Sequence, residues 1–302
     1  MPATDALLRA INEPETIRVV AAITTDAVRE ACDRQQARGI AAVVLGRALT
    51  IGALLATLGK GERERVRIQL QGGGPVGQVV VDAHGDGRVR ACLAQPLPLS
   101  HLANQLLDAE PRPSTMGAVG TRGHVTVTRD LGLSQPYQGS VALRTGEIDE
   151  DLEHYLAHSE QLPSALRAAV ILDQDGQVLR AAGVLAQGFP GCDPATIAQV
   201  GERLRGLRDL VLAHARELDE LVGLALGGNE FRRMLEHPIE FHCPCGPERA
   251  LEVLSTLGPA DLDALADEQP HTEVRCNFCG QTTLVAATEV RELAEQLRSV
   301  QS

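Results

Sequence analysis

The chain has 302 residues, 44% of them hydrophobic and only 2% aromatic. That is ample for two or three domains, with cores built mainly from Ala, Val, Leu and Ile. A formal net charge of -12 excludes sequence-independent binding to nucleic acid or to anionic membrane, both of which need a basic footprint.

In chain order, Met1 to Ala6 lacks the basic and apolar regions of a secretory leader. Together with an odd number of cysteines, seven, this predicts a cytoplasmic, reducing setting, where close cysteine spacing reads as metal binding or redox chemistry rather than permanent cross-links. Thr25 to Arg34 and Ala41 to Leu58 are predicted helices. Ile40 to Leu58 is nearly long enough to span a bilayer, but Arg47 near its middle is costly in lipid, so a buried helix is expected. Arg65 to Leu70 alternates as a half-buried strand, and Val76 to Ala83 pairs with Val89 to Ala94 through the turn His84-Gly85-Asp86-Gly87. Gly72-Gly73-Gly74 reads as a strand-ending loop. Neither it nor Gly59-Lys60-Gly61, which contains the sole lysine, has a phosphate-loop pattern.

Strands are predicted at His124 to Arg129 and Tyr137 to Leu143, and a helix from near Asp149 through Leu152, Tyr155 and Leu156. A hairpin of Ala168 to Leu172 and Val178 to Val184 turns at Asp173-Gln174-Asp175-Gly176. Residues 1–182 therefore read as an α+β, sheet-rich core domain.

Residues 183–238 have a different texture. Asp193 and Pro194 open a helix as N-cap and first-turn proline. Ile197, Val200, Leu204, Leu207 and Val211 then recur at spacings of three and four, and the stripe resumes at Leu218, Leu221 and Ala225. A short helix around Phe231 to Leu235 is expected after Gly227-Gly228, stopped by Pro238. Such a segment cannot bury its stripe alone and must lie on a neighbour, for which the core domain is the candidate.

Residues 239–302 carry the chemistry. Cys243-Pro244-Cys245-Gly246 and Cys276-Asn277-Phe278-Cys279-Gly280 are two close pairs that can meet around one tetrahedral Zn2+, each supplying two thiolates. The set leaves no coordination position open for water, which argues against a hydrolytic centre. His242 and His271 flank the pairs and are the alternative ligands. This segment has four arginines against eleven acidic residues, unlike a zinc ribbon that grips phosphate. It closes with an amphipathic helix carrying Val290, Leu293 and Leu297. Cys32, Cys92 and Cys192 lie outside the pattern and read as inert thiols, although Cys192 precedes a helix N-terminus, where a thiol pKa can fall. No His-Glu-x-x-His or Gly-x-Ser-x-Gly is present, so a hydrolase has no anchor in the sequence and the chain is not expected to be an enzyme.

Four sulfurs about 2.3 Å from one zinc lie roughly 3.8 Å apart, whereas a disulfide needs about 2.05 Å. Metal and disulfides on these residues therefore exclude one another.

With the cysteine pairs, Gly74-Pro75, Gly85-Asp86-Gly87-Arg88-Val89-Arg90, Tyr137-Gln138-Gly139 and Ser159-Glu160-Gln161-Leu162-Pro163-Ser164, essentially the whole chain resembles the redox-regulated heat-shock chaperones, the 33 kDa chaperonins. The resemblance implies an α+β core, a helical linker and a small zinc-binding redox switch. It also implies an ATP-independent holdase that is inactive with zinc bound and active when oxidised. Disulfides Cys243–Cys245 and Cys276–Cys279, an oxidised homodimer, unfolded client proteins and downstream ATP-dependent foldase chaperones are implied with it. Spacing alone leaves all three pairings of the four cysteines open. Two other classes compete: a thiol-disulfide oxidoreductase acting through Cys276 and Cys279, and a zinc-stabilised binding module whose cysteines never cycle.

Overall fold

A computed structural model of the chain describes residues 5–59, 61, 64–96, 113–133, 135–213 and 217–301. Lys60 and the leader reading of Met1 to Thr4 lie outside the described residues. The chain divides into two compact units, Met1–His242 and Cys243–Ser302.

In the first unit, strands β1 (Ala6–Asn12), β2 (Ile17–Ile23), β8 (Ser164–Leu172), β9 (Val178–Gly188) and β10 (Phe231–Pro238) form one antiparallel sheet in the order β10-β1-β2-β9-β8. Strands β3 (Arg65–Gln71), β4 (Gln78–His84), β5 (Arg88–Leu93), β6 (His124–Asp130), β7 (Tyr137–Ala142) and β11 (Glu240–Phe241) form the second, ordered β11-β5-β4-β3-β6-β7, with only the short β11–β5 pair parallel.

Between the sheets runs α2 (Ile40–Ala56), every residue of which is buried. A helix that is apolar all round needs cover on every side, and α2 has it. It shares one core with Leu7, Val20, Leu166 and Leu185 of the first sheet and Val66, Ile68, Val79 and Val81 of the second. Two glycines allow the close approach. A Cβ on Gly52 would stand 2.4 Å from Val81 Cγ1, and one on Gly46 2.8 Å from Val170 Cγ2. Arg47 is buried too, its guanidinium donating to Glu147 Oε2 at 2.9 Å and to the Pro113 carbonyl at 2.8 Å. Buried charge is tolerated when it is paired and hydrogen-bonded in this way. Among the described residues no helix is long and apolar enough to cross a membrane.

The core also contains α1 (Thr25–Gln35), α3 (Met116–Val119) and α4 (Ile148–Tyr155); a π-helical turn over Leu156–Glu160 continues α4, so the α-helix itself stops before Leu156. Gly72 and Gly74 do end a strand in a loop, packed against the backbone of Val119 and Gly120.

The outer face of the first sheet, which includes Leu8, Val19, Ala21, Ile171, Val184 and Ala186, is covered by α5 (Pro194–Leu204), α6 (Leu207–Ala213) and α7 (Leu218–Leu226). Asp193 caps α5 by accepting a hydrogen bond from Ala195 N at 2.9 Å.

Two expectations for residues 183–238 need correction. Strand β9 continues to Gly188, so a boundary at 182/183 falls inside a strand. Phe231 to Leu235 is no helix; it lies in β10, antiparallel to β1 with Leu8 opposite Glu236 and Ile11 opposite Arg232. Phe231, Met234 and Leu235 have helical spacing, but pairing with a sheet edge overrides so weak a local preference.

The second unit contains α8 (Pro247–Leu254), α9 (Pro259–Glu268), the hairpin β12 (His271–Arg275) with β13 (Thr282–Ala286), and α10 (Ala287–Gln301). Its core is small: Ala250, Leu254, Leu262, Ala266, Val285, Val290 and Ala294, edged by Leu293 and Leu297.

Candidate metal centre

Residues 276–281 are the loop between β12 and β13. Cys276 N–H donates to the Gln281 carbonyl at 2.9 Å, and Gly280 N–H to the Cys276 carbonyl at 2.9 Å. Gly280 sits at φ +70°, a left-handed conformation that glycine adopts without steric cost. The loop is thereby folded into a knuckle that presents Cys276 and Cys279 together. Cys243 and Cys245 come from the segment just before α8, whose first turn begins at Pro247.

All four Sγ atoms lie within 4.8 Å of one another. The separations Cys243–Cys276 and Cys245–Cys279 are 3.6 Å and 3.1 Å. A tetrahedral zinc–thiolate centre needs sulfurs about 3.8 Å apart, so the arrangement fits a single metal ion with an all-sulfur shell. The group contains no histidine. His271 pairs with Ala286 at the opposite end of the hairpin from the knuckle, and His242 is tied by its backbone N–H to the Val89 carbonyl at 3.0 Å.

Burial opposes ionisation of Cys276, but the N–H groups of Cys279 and Phe278, together with the Cys243 and Cys279 thiols, outweigh it and hold its pKa below the ordinary thiol value. Cys279, only 6% exposed, is pushed up, first by burial and then by Cys245. Thiols this close cannot all ionise without a cation among them. Sequence reasoning missed the supporting groups. Gln281 supplies a carbonyl to Cys276 and receives the Cys245 thiol on Oε1 at 3.4 Å. Backbone donors have no side-chain signature, and only Gly280 after the second pair hinted at the knuckle.

The remaining cysteines stand apart. Cys32 is buried and its thiol is pushed up to about 12 by burial; Cys92 is buried on β5. Cys192 shows no lowering from the helix that follows it. Its pKa is raised by burial and then by the carboxylate of Asp193, which occupies the helix N-terminus itself. Ile197, Val200, Leu204, Leu207 and Val211 are all buried, together with Leu218, Leu221 and Ala225, in one cluster with the outer face of the first sheet.

The family described as Hsp33 protein matches residues 5–285. A 33 kDa chaperonin from Geobacter sulfurreducens is 36% identical over 299 residues, covering 98% of this chain and 97% of the relative. One from Shouchella clausii is 31% identical over 297 residues, covering 98% and 99%. The crystal structure of the 33 kDa chaperonin (heat shock protein 33 homolog) from Thermotoga maritima superposes with a TM-score of 0.82 at 28% identity, covering 99% of this chain and 100% of that one.

Proposed function

Because this chain belongs to the Hsp33 family, we propose that it is a redox-regulated, ATP-independent holdase, not an enzyme, that binds unfolding proteins in the cytoplasm. The observation that carries the reading is the meeting of four thiols within 4.8 Å in a unit with a very small core. Cys243, Cys245, Cys276 and Cys279 hold one zinc in the inactive form. Bound there, zinc supplies on the order of 10 kcal/mol of folding free energy.

Activation is oxidation of these cysteines to Cys243–Cys245 and Cys276–Cys279. In each pair one thiolate attacks a peroxide oxygen, leaving a sulfenic acid and hydroxide. The second sulfur then attacks the sulfenic sulfur, forms the S–S bond and releases the oxygen as water. Each disulfide thus consumes one peroxide and delivers two electrons to it. Sulfurs at disulfide distance no longer fit a tetrahedral centre, and the switch, expected over 239–302 and compact from Cys243 to Ser302, loses its main source of stability. In this reading the linker expected over 183–238 is the helical part of that segment, α5 to α7 between β9 and β10, and Ile197, Val200, Leu204, Leu207 and Val211 form a latch. Its release uncovers an apolar sheet face, a surface suited to other apolar chains. The oxidised form is a homodimer that passes clients to ATP-dependent foldase chaperones.

The test is zinc content and suppression of client aggregation by the full chain before and after peroxide. The expected result is one zinc and no suppression when reduced, and no zinc with strong suppression when oxidised. Turnover of a small disulfide substrate with zinc still bound would favour an oxidoreductase, and no change at all a plain zinc module.

A further inference from the structure

Strand β10 is the edge of the first sheet, and it is held there in an unusual way. Its burial runs half-buried, exposed over Arg232 to Glu236, half-buried at His237 and exposed at Pro238. Met234 and Leu235 are 51% and 44% exposed. The strand therefore makes little side-chain contribution to the core, and backbone pairing with β1 is its chief attachment. The pairing shifts register between Arg9 and Ala10, whose partners are Leu235 and Arg233, so Met234 is an extra, bulged residue. Bulges locally disrupt the ladder.

Side-chain ties run mostly to the helices before it. Phe231 packs on the cluster formed by α5, α6 and α7 with the sheet. Arg233 forms an ion pair with Asp219 of α7, and Arg232 one with Glu15 at 2.5 Å. All four of these charged groups are well exposed, so the pairs add little. In sequence β10 lies between the latch helices and the cysteines. Once the helices lift, β10 loses Phe231's packing and the constraint at its N-terminal end, while Ile239, buried in the main core, and β11, paired with β5, keep its C-terminal end tethered, so the strand peels away from Phe231 onward. Its departure leaves one row of β1 N–H and C=O groups without partners, beside the apolar face of Leu8 and Ala10. Such an edge is a template for another strand.

We infer that β10 is a built-in occupant of a strand-addition site, and that the released edge of β1 takes an extended segment of an unfolded protein in its place. The inference rests on the holdase reading and deepens it by naming how the client is held. Recognition through backbone hydrogen bonds is indifferent to client sequence. The adjoining apolar face favours segments with alternating hydrophobic side chains.

Hydrogen exchange on the full chain tests this, with a reduced and carboxymethylated globular protein as a permanently unfolded client. Aggregation suppression is measured on the same samples. Peptides spanning Ala6–Asn12 and Phe231–Pro238 should both exchange faster after oxidation. Added client should slow the β1 peptide again by about tenfold or more while the β10 peptide stays fast. Three outcomes overturn the inference alone: β1 protected throughout oxidation, β1 still fast in a complex that suppresses aggregation, or β1 and β10 slowing together. A client whose backbone amides are N-methylated at alternate residues should leave β1 fast; equal protection by it also sinks strand addition. An oxidised protein that fails to suppress aggregation refutes the holdase reading and this inference with it.

Discussion

The two units solve the problem of stability in opposite ways. In the first, α2 is enclosed by two sheets and a long list of aliphatic side chains is removed from water. In the second, a core cluster of seven small or medium aliphatic side chains is buried and four thiols converge within 4.8 Å. Burial cannot be switched off by a chemical signal, whereas stability lent by a ligand can. A chain carrying both kinds of unit can lose one fold while keeping the other.

Removing the metal is the strongest way to break that contrast. Chelation from the reduced protein should unfold Cys243–Ser302, a loss on the order of 10 kcal/mol, while α2, β3 and β4 keep their slow hydrogen exchange. Slow exchange persisting through α8 to α10 would show that the second unit stands on its core alone.

The first unit has its own weak point. Arg47→Ala leaves Glu147, which also accepts from Ser114 Oγ and Thr115 N–H, without its guanidinium in a largely buried site. Breaking such a pair costs about 3–5 kcal/mol. Thermal unfolding of the first unit should shift accordingly, with metal content per chain unchanged.

Leu204→Ala reaches the proposed latch. Leu204 is almost fully buried, and the truncation should cost about 2–5 kcal/mol, felt as faster proteolysis between α5 and α7 in reducing buffer. A protease pattern equal to that of the parent would mean the helices hold to the sheet without it.

The smallest effect is a pH dependence confined to the first unit. Asp5 is 3% exposed, and burial pushes its carboxyl up to about 6, the Ala27 and Asp26 N–H groups partly opposing. A carboxyl whose pKa is raised on folding stabilises the fold below its unfolded value near 3.8. That contribution fades as pH rises through 6. The first unit should gain on the order of 1–3 kcal/mol between pH 7 and 4 from this group, and Asp5→Asn should flatten the trend.

The contrast also separates what the sequence disclosed from what it concealed. Strand β3 was legible because one face is wet, so Val66, Ile68 and Leu70 alternate with polar residues. Strands β1 and β2 were not, because both faces are buried: Val19 and Ala21 turn to one core and Val20 and Ala22 to the other, which erases the alternation. Strand β10 was misread since its partner, β1, lies over two hundred residues earlier. The cysteines could be read from spacing alone, whereas the Gln281 and Gly280 contacts that shape their loop depend on backbone geometry.

Helix α2, as the shared wall of both sheets, also has a calorimetric consequence. Neither sheet can melt while the other keeps that helix, so heating should give one endotherm for α2 and the two sheets packed on it, its van't Hoff and calorimetric enthalpies equal. Heat can therefore dismantle the platform only all at once. Below that single temperature the sheet edge and the face beside it keep their full geometry, however disordered the rest of the chain has become.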